Sequence, residues 1–232
     1  MYKREEIVNG QKVKLLLRDD VDESIVNEIF KFKEYRRAGE IIQDVGGVIL
    51  DVGAHAGYFA LWAIAQNSEA KIFCLEPIKA NFDFLKENIK ENKAKNIKAE
   101  NVALYKETGQ VSIFLSEDSH NHSLLPISEN KEIVKAVSFA DFVKKNKIKN
   151  ISLLKMDIEG GEYEIFQNST VEISTITENI FLEYHQTESK NFKVIENILR
   201  QNGFTVEIFP SQFDKTMGFM LARNKRLKKH NK

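Results

Sequence analysis

Two stretches of the chain concentrate side chains that can move a proton or hold a cation. The first runs from Ile151 to Phe166 and carries Asp157, Glu159 and Glu162 within six residues, where an apolar run gives way to Gly160-Gly161. The second is Phe181-Leu-Glu-Tyr-His185. Glu183 and His185 stand two apart there, so on a strand they share one face. Carboxylates beside an imidazole suit general acid–base work on a hydroxyl. Asp157, Glu159 and Glu162 could instead hold a divalent cation that acidifies such a hydroxyl, which is the secondary expectation. Glu162 also opens a helix, where a carboxylate complements the helix dipole. Glu164 reads as an exposed helical charge.

A different chemistry is written in Val48-Ile-Leu-Asp-Val-Gly-Ala-His-Ala-Gly57. A short apolar strand runs into a tight glycine turn and then a helix. Gly53 permits unusual backbone angles and a close ligand approach. Gly57 opens the helix, whose exposed amides attract a carboxylate or phosphate. Asp51 could accept a hydrogen bond from a ligand ammonium or order the loop. The next strand ends in Glu76-Pro77, with Glu76 placed 23 residues after Gly53. An acidic residue ~20 residues downstream of such a loop can bind both hydroxyls of a ribose. The loop is Gly-Ala-His-Ala-Gly, not the Gly-x-Gly-x-x-Gly of dinucleotide binders. S-adenosylmethionine (SAM) has a ribose and a carboxylate but no pyrophosphate, so it needs fewer close backbone approaches. A nicotinamide site is therefore disfavoured.

Asp-Val-Gly-Ala-His-Ala-Gly-Tyr-Phe, Glu-Pro, Leu-Lys-Met-Asp-Ile-Glu-Gly-Gly-Glu-Tyr-Glu and Leu-Glu-Tyr-His together resemble the FkbM family of SAM-dependent methyltransferases, over roughly Asp22 to Ala222. The Asp-Ile-Glu-Gly-x-Glu element is the most specific part. The resemblance implies a Rossmann-like α/β class I methyltransferase fold, with a mostly parallel seven-stranded sheet, helices on both faces and the last strand antiparallel. It implies that Asp51, Gly53 and Gly57 surround the methionine part of SAM, that Glu76 holds the ribose, and that Asn101 lies near the adenine. Ala54, Pro77 and Asp157 complete the expected cofactor-binding set. It further implies O-methylation of a hydroxyl on a small molecule or sugar. Two positions depart from the family pattern: His55 replaces the usual Asn, and Gly161 a common Ala.

Methyl transfer from a sulfonium is an in-line displacement, which needs the acceptor oxygen held ~3–3.5 Å from the methyl carbon. An alcohol also loses its proton, which favours a nearby base. The expected base is His185 or Asp157, with Glu183 and Glu162 orienting groups or acceptor hydroxyls.

These residues need an alternating scaffold, and the chain supplies one. Ile7–Leu17, with Asn9-Gly10 in its middle, reads as a hairpin. Asp22–Ile42 carries apolar residues at helical spacing. Strands are expected at Val48–Val52, Lys71–Leu75, Ile97–Leu104, Val111–Leu115, Ile133–Ser138, Ile151–Met156, Ile180–Tyr184, Val206–Phe209 and Met217–Ala222. Helices are expected at Tyr58–Gln66, Lys79–Asn92, Phe139–Lys145, Glu162–Gln167 and Phe192–Asn202. Ser116–Asn130 is polar and irregular, a lid over the acceptor rather than a metal site built on His120 and His122. Three units follow: a prelude (1–47), a methyltransferase domain (48–222) and a basic tail (223–232).

The 232 residues include 34 basic and 34 acidic side chains, so the formal net charge is zero. That argues against a protein relying on a broad basic field to bind nucleic acid. One cysteine, Cys74, excludes an intrachain disulfide and reads as a buried apolar residue. With no apolar signal core at the N-terminus and no run long enough to span a membrane, a cytoplasmic protein is expected. Expected partners are a small-molecule or glycan acceptor, without nucleic acid. The rival readings are an RNA methyltransferase, which calls for a basic aromatic surface, and a non-catalytic SAM- or nucleotide-binding module, which has no use for the acidic turn with His185.

Overall fold

Asn9 and Gly10 both take positive φ, 50° and 79°, the backbone that a two-residue hairpin turn demands. They join β1 (Tyr2–Val8) to β2 (Gln11–Leu17) in antiparallel register. The computed structural model describes residues 1–114, 130–187, 190–211 and 216–227. His120, His122 and the expected lid, except Asn130, lie outside them, as does the end of the basic tail.

After the hairpin come α1 (Asp20–Val26), capped by the Asp19 carboxylate, a single π-helical turn (Asn27–Lys31) and α2 (Arg36–Ile42). The alternating part follows as β3 (Val48–Val52), α3 (Tyr58–Gln66), β4 (Lys71–Leu75), α4 (Lys79–Glu91) and β5 (Ile97–Glu100). Next are β6 (Ala103–Tyr105), β7 (Gly109–Phe114), β8 (Lys131–Ser138), α5 (Phe139–Asn146), β9 (Ile151–Met156) and α6 (Glu162–Ile176). The chain closes with β10 (Asn179–His185), α7 (Phe192–Gln201), β11 (Phe204–Pro210) and β12 (Met217–Asn224).

The main sheet has seven strands in the order β11-β12-β10-β9-β3-β4-β5. Its central pairs are parallel, and β12 runs antiparallel between β10 and β11. Strand residues alternate between two apolar layers. Ile49, Leu153 and Phe181 face one layer, with β2, α2, α3 and α4 packed over it. Leu50, Leu154 and Leu182 face the other, under α5, α6 and α7. Among the described residues no helix is long and apolar enough to cross a membrane.

Three expected boundaries move. Ile97–Leu104 is not one strand: β5 closes the edge of the main sheet, while β6 joins β8 and β7 in a separate three-stranded sheet. The break falls at Asn101, whose side-chain amide donates to Glu76 O (2.9 Å) and Pro77 O (2.7 Å) and so bends the chain back over the end of β4. Helix α6 continues well past Gln167 to Ile176. Its Thr170 and Ser174 hydroxyls donate to the main-chain oxygens of Phe166 and Val171, so these polar residues stay buried within the helix. Strand β12 extends to Asn224, whose buried amide donates to Ser174 O and Thr177 O. The first two residues of the basic segment are therefore ordered parts of the sheet.

Candidate active site

Strands β4 and β5 lie on one side of β3, and β9 and β10 on the other. Ligands of open α/β sheets sit beyond the carboxyl ends of the strands at such a reversal. A cavity of about 1020 Å³ opens there. Strand alternation aims the polar side chains: Lys155, Glu183 and His185 line the cavity, with Asp51 and Cys74 buried beneath, all in step with Ile49, Ile72, Leu153 and Phe181 on the face covered by the N-terminal segment.

One end of the cavity is built on the glycine loop. Gly53 has φ 75°, and a Cβ there would lie 1.8 Å from Asp157 O, so the turns after β3 and β9 pack backbone to backbone. His55, also left-handed (φ 49°), donates its backbone N–H to Glu76 Oε2 at 2.8 Å. Ile78 N–H donates to Glu76 Oε1 at 2.9 Å. Burial outweighs these two bonds and pushes the Glu76 carboxyl up to about 7. Ala54, Pro77, Ile78, Val102 and Leu104 line the same end. A buried carboxylate beside apolar walls is the set of groups a nucleoside needs, so the residues present fit the expected SAM pocket.

Three expected cofactor contacts stand elsewhere. Asp51 is fully buried below the floor, with Oδ1 3.3 Å from Lys155 Nζ. Burial raises its carboxyl and the ammonium opposes the rise. Lys155 also donates to Gly53 O at 2.9 Å, so the pair orders the loop. Gly57, the N-cap of α3, is closed over by Leu85, which a Cβ would meet at 2.2 Å. Asn101 holds the turn below Glu76 and does not line the cavity.

The other end is acidic. Asp157, Glu159, Glu183 and His185 line it. His185 Nε2 lies 3.3 Å from Glu159 Oε2 and 3.4 Å from Glu183 Oε1. Glu162 is fully buried and does not reach the cavity: its Oε1 accepts from Ile158 N–H (3.0 Å) and faces His185 Nδ1 at 3.9 Å. Burial alone would lower the imidazole, but Glu162 and Glu183 outweigh it and push His185 up to about 12. Burial, then the Asp157 charge, raises Glu183, and burial raises Glu159. The donor atoms that converge are those of Asp157, Glu183 and His185, not the expected trio of Asp157, Glu159 and Glu162.

Nothing in the motif spacing announces the roof. The π-helical turn and the segment after it bring Glu28, Glu34 and Tyr35 into the cavity wall. Ser24 Oγ donates to Glu28 at 3.1 Å, and burial, then Glu34, pushes the Glu28 carboxyl up to about 7. His55 explains one departure from the family pattern: its ring meets Arg18 Nη2 at 3.1 Å, and Arg18 is itself paired to buried Asp22 at 2.9 Å. Lys155 did carry a signal in the sequence, since a lysine inside Leu-Leu-Lys-Met-Asp of a central strand needs a buried counter-charge.

The FkbM methyltransferase domain matches residues 51–206. A methyltransferase of Sordaria araneosa, sdnD, is 25% identical over 71% of this chain and 78% of its own. The hexuronic acid methyltransferase AglP of Haloferax volcanii is 23% identical over 69% of this chain and 67% of its own. Among solved structures, the fibrillarin of Aeropyrum pernix with natively bound SAM aligns with a TM-score of 0.51 at 13% identity, covering 95% of this chain and 82% of that one, a likeness of fold. With the family domain spanning most of a class I α/β sheet whose reversal point carries the cavity, this chain belongs to the FkbM family of SAM-dependent methyltransferases.

Proposed function

We propose that the enzyme transfers the methyl group of SAM to a hydroxyl of a small molecule or sugar. The observation that carries this reading is one continuous cavity with a nucleoside-type carboxylate, Glu76, at one end and the Asp157–Glu183–His185 cluster at the other. SAM supplies an electrophilic methyl on a sulfonium. Glu76 would accept the ribose hydroxyls, and the Gly53–His55 backbone would receive the methionine portion. Asp51 and Lys155 act below, holding the loop against the turn after β9. At the acidic end, polar atoms from β9 and β10 would receive the acceptor hydroxyl and its proton. Three carboxylates and one imidazole lining this end support a hydroxyl acceptor.

Incubation with SAM and a panel of hydroxylated small molecules and glycans, followed by mass spectrometry, tests the acceptor class. A product carrying one new methyl ether, with the methyl in place of the hydroxyl hydrogen, is expected. A methyl found on nitrogen or carbon contradicts the reading.

A further inference from the structure

Asp157, Glu183 and His185 each present a donor atom to one point on the cavity wall, all within 4.8 Å of one another. Glu159 adds a fourth, 3.3 Å from His185 Nε2. Adjacent corners of an octahedron with ~2.1 Å bonds lie about 3.0 Å apart, so the 3.3 and 3.4 Å spacings around Nε2 need contract only slightly.

A second observation comes from behind the ring. Glu162 has no exposed side-chain surface, and its Oε2 has no hydrogen-bond partner. Its Oε1 lies 3.9 Å from His185 Nδ1, the ring nitrogen away from Glu159 and Glu183. That nitrogen is also buried without a hydrogen-bond partner, so the two stand just short of the hydrogen bond a ligating ring would make. Ligating histidines characteristically give their other N–H to a carboxylate, which fixes the tautomer and turns the free nitrogen to the metal. The Lys155 ammonium is held by Asp51 and Gly53 O and stands 3.8 Å from Asp157.

We propose that Asp157, Glu183 and Nε2 of His185, with Glu159 as a further donor, bind a divalent cation of the Mn²⁺ class that holds the acceptor oxygen. The role rests on the methyltransferase reading; the binding site itself does not. Two or three carboxylate oxygens with one imidazole suit a first-row divalent ion, and the remaining corners open to the cavity. The cation favours loss of the hydroxyl proton to a carboxylate of the cluster. The oxygen forms its bond to the methyl carbon as the carbon–sulfur bond breaks, and sulfur keeps the electron pair.

The test is titration of the chelator-stripped full-length protein with Mn²⁺, followed by the electron paramagnetic resonance of the free ion. One bound ion per chain is expected. Glu183→Gln and Asp157→Asn should each weaken binding more than about tenfold and Glu162→Gln by about tenfold, while Glu164→Gln, on the outer face of α6, leaves it unchanged. Circular dichroism and thermal melting of the same proteins report that they are folded, and calorimetry reports their SAM binding. An unaltered free-ion signal with the wild-type protein overturns the proposal, and so does undiminished binding by folded Glu183→Gln. Retained SAM binding in that case leaves the methyltransferase reading standing; Mn²⁺ binding without SAM binding does the reverse. Should Glu183→Gln not fold, the wild-type stoichiometry and Glu162→Gln decide.

Discussion

A carboxylate taken out of water is held by hydrogen bonds or by a shifted protonation state. Glu76 uses both: two backbone N–H groups hold its oxygens, and its carboxyl is pushed up to about 7. Glu28, in the roof, is raised to a similar value. Because both folded values exceed the ordinary carboxylate value, the folded form holds these protons more tightly than the unfolded chain. Their contribution to stability is fully present below about pH 4.5 and is lost as pH rises through about 7. A tenfold difference in proton affinity between the folded and unfolded chain is worth ~1.4 kcal/mol. The ligand-free protein is therefore expected to melt on the order of 5 °C lower at pH 8 than at pH 6, measured by calorimetry or circular dichroism. A melting temperature flat or rising over that interval contradicts the buried carboxyls. The Glu76→Gln variant should flatten the slope.

At the scale of elements, two turns make the site by touching. The β3–α3 and β9–α6 turns approach so closely that only Gly53 fits between them. Gly53→Ala adds a methyl against Asp157 O at a φ of 75°, where an L side chain is already strained. Loss of SAM binding is expected, with destabilisation of about 2 kcal/mol or more in urea unfolding. A Gly53→Ala protein that binds SAM normally contradicts the packing. Both turns are legible in the sequence because each is a strand, a glycine and a carboxylate in a row. Glu76 is legible by its distance from Gly53. Other parts are not. Glu28 and Glu34 lie in a polar helical stretch, and nothing local says that a π-helical turn carries them over a cavity whose acidic end lies more than a hundred residues away in sequence. Asn101 falls inside what reads as an unbroken strand, Ile97–Leu104, until its amide's bonds to Glu76 O and Pro77 O bend the chain. The spacing of Glu162 points to the site, but the helix turns its side chain behind His185.

Across the whole molecule, the N-terminal segment and the sheet form one structure around the cavity. Asn88 accepts from Leu16 N–H and donates to Ala56 O, while the Tyr58 hydroxyl donates to Leu16 O. Arg18, paired to Asp22 within the segment, reaches Asn81 and His55 across the same boundary. Arg18→Ala removes the partner of a buried aspartate, at a cost of about 3 kcal/mol. It should also weaken SAM binding several-fold, because His55 carries one of the N–H groups that hold Glu76. A variant as stable as the parent, or one destabilised with unchanged SAM affinity, contradicts this coupling. The formal net charge of zero is compatible with the proposed small acceptor, received at the end of the cavity lined by Asp157, Glu159 and Glu183.

The most direct test of the central claim is calorimetric titration of the purified protein with SAM, S-adenosylhomocysteine and NAD, repeated with Glu76→Ala. The account predicts one adenosyl ligand bound per chain, no response to NAD, and about a tenfold or greater loss of affinity in Glu76→Ala, the scale of a lost hydrogen bond to a charged group. Binding of NAD in place of SAM and S-adenosylhomocysteine, or adenosyl binding untouched by Glu76→Ala, would contradict it.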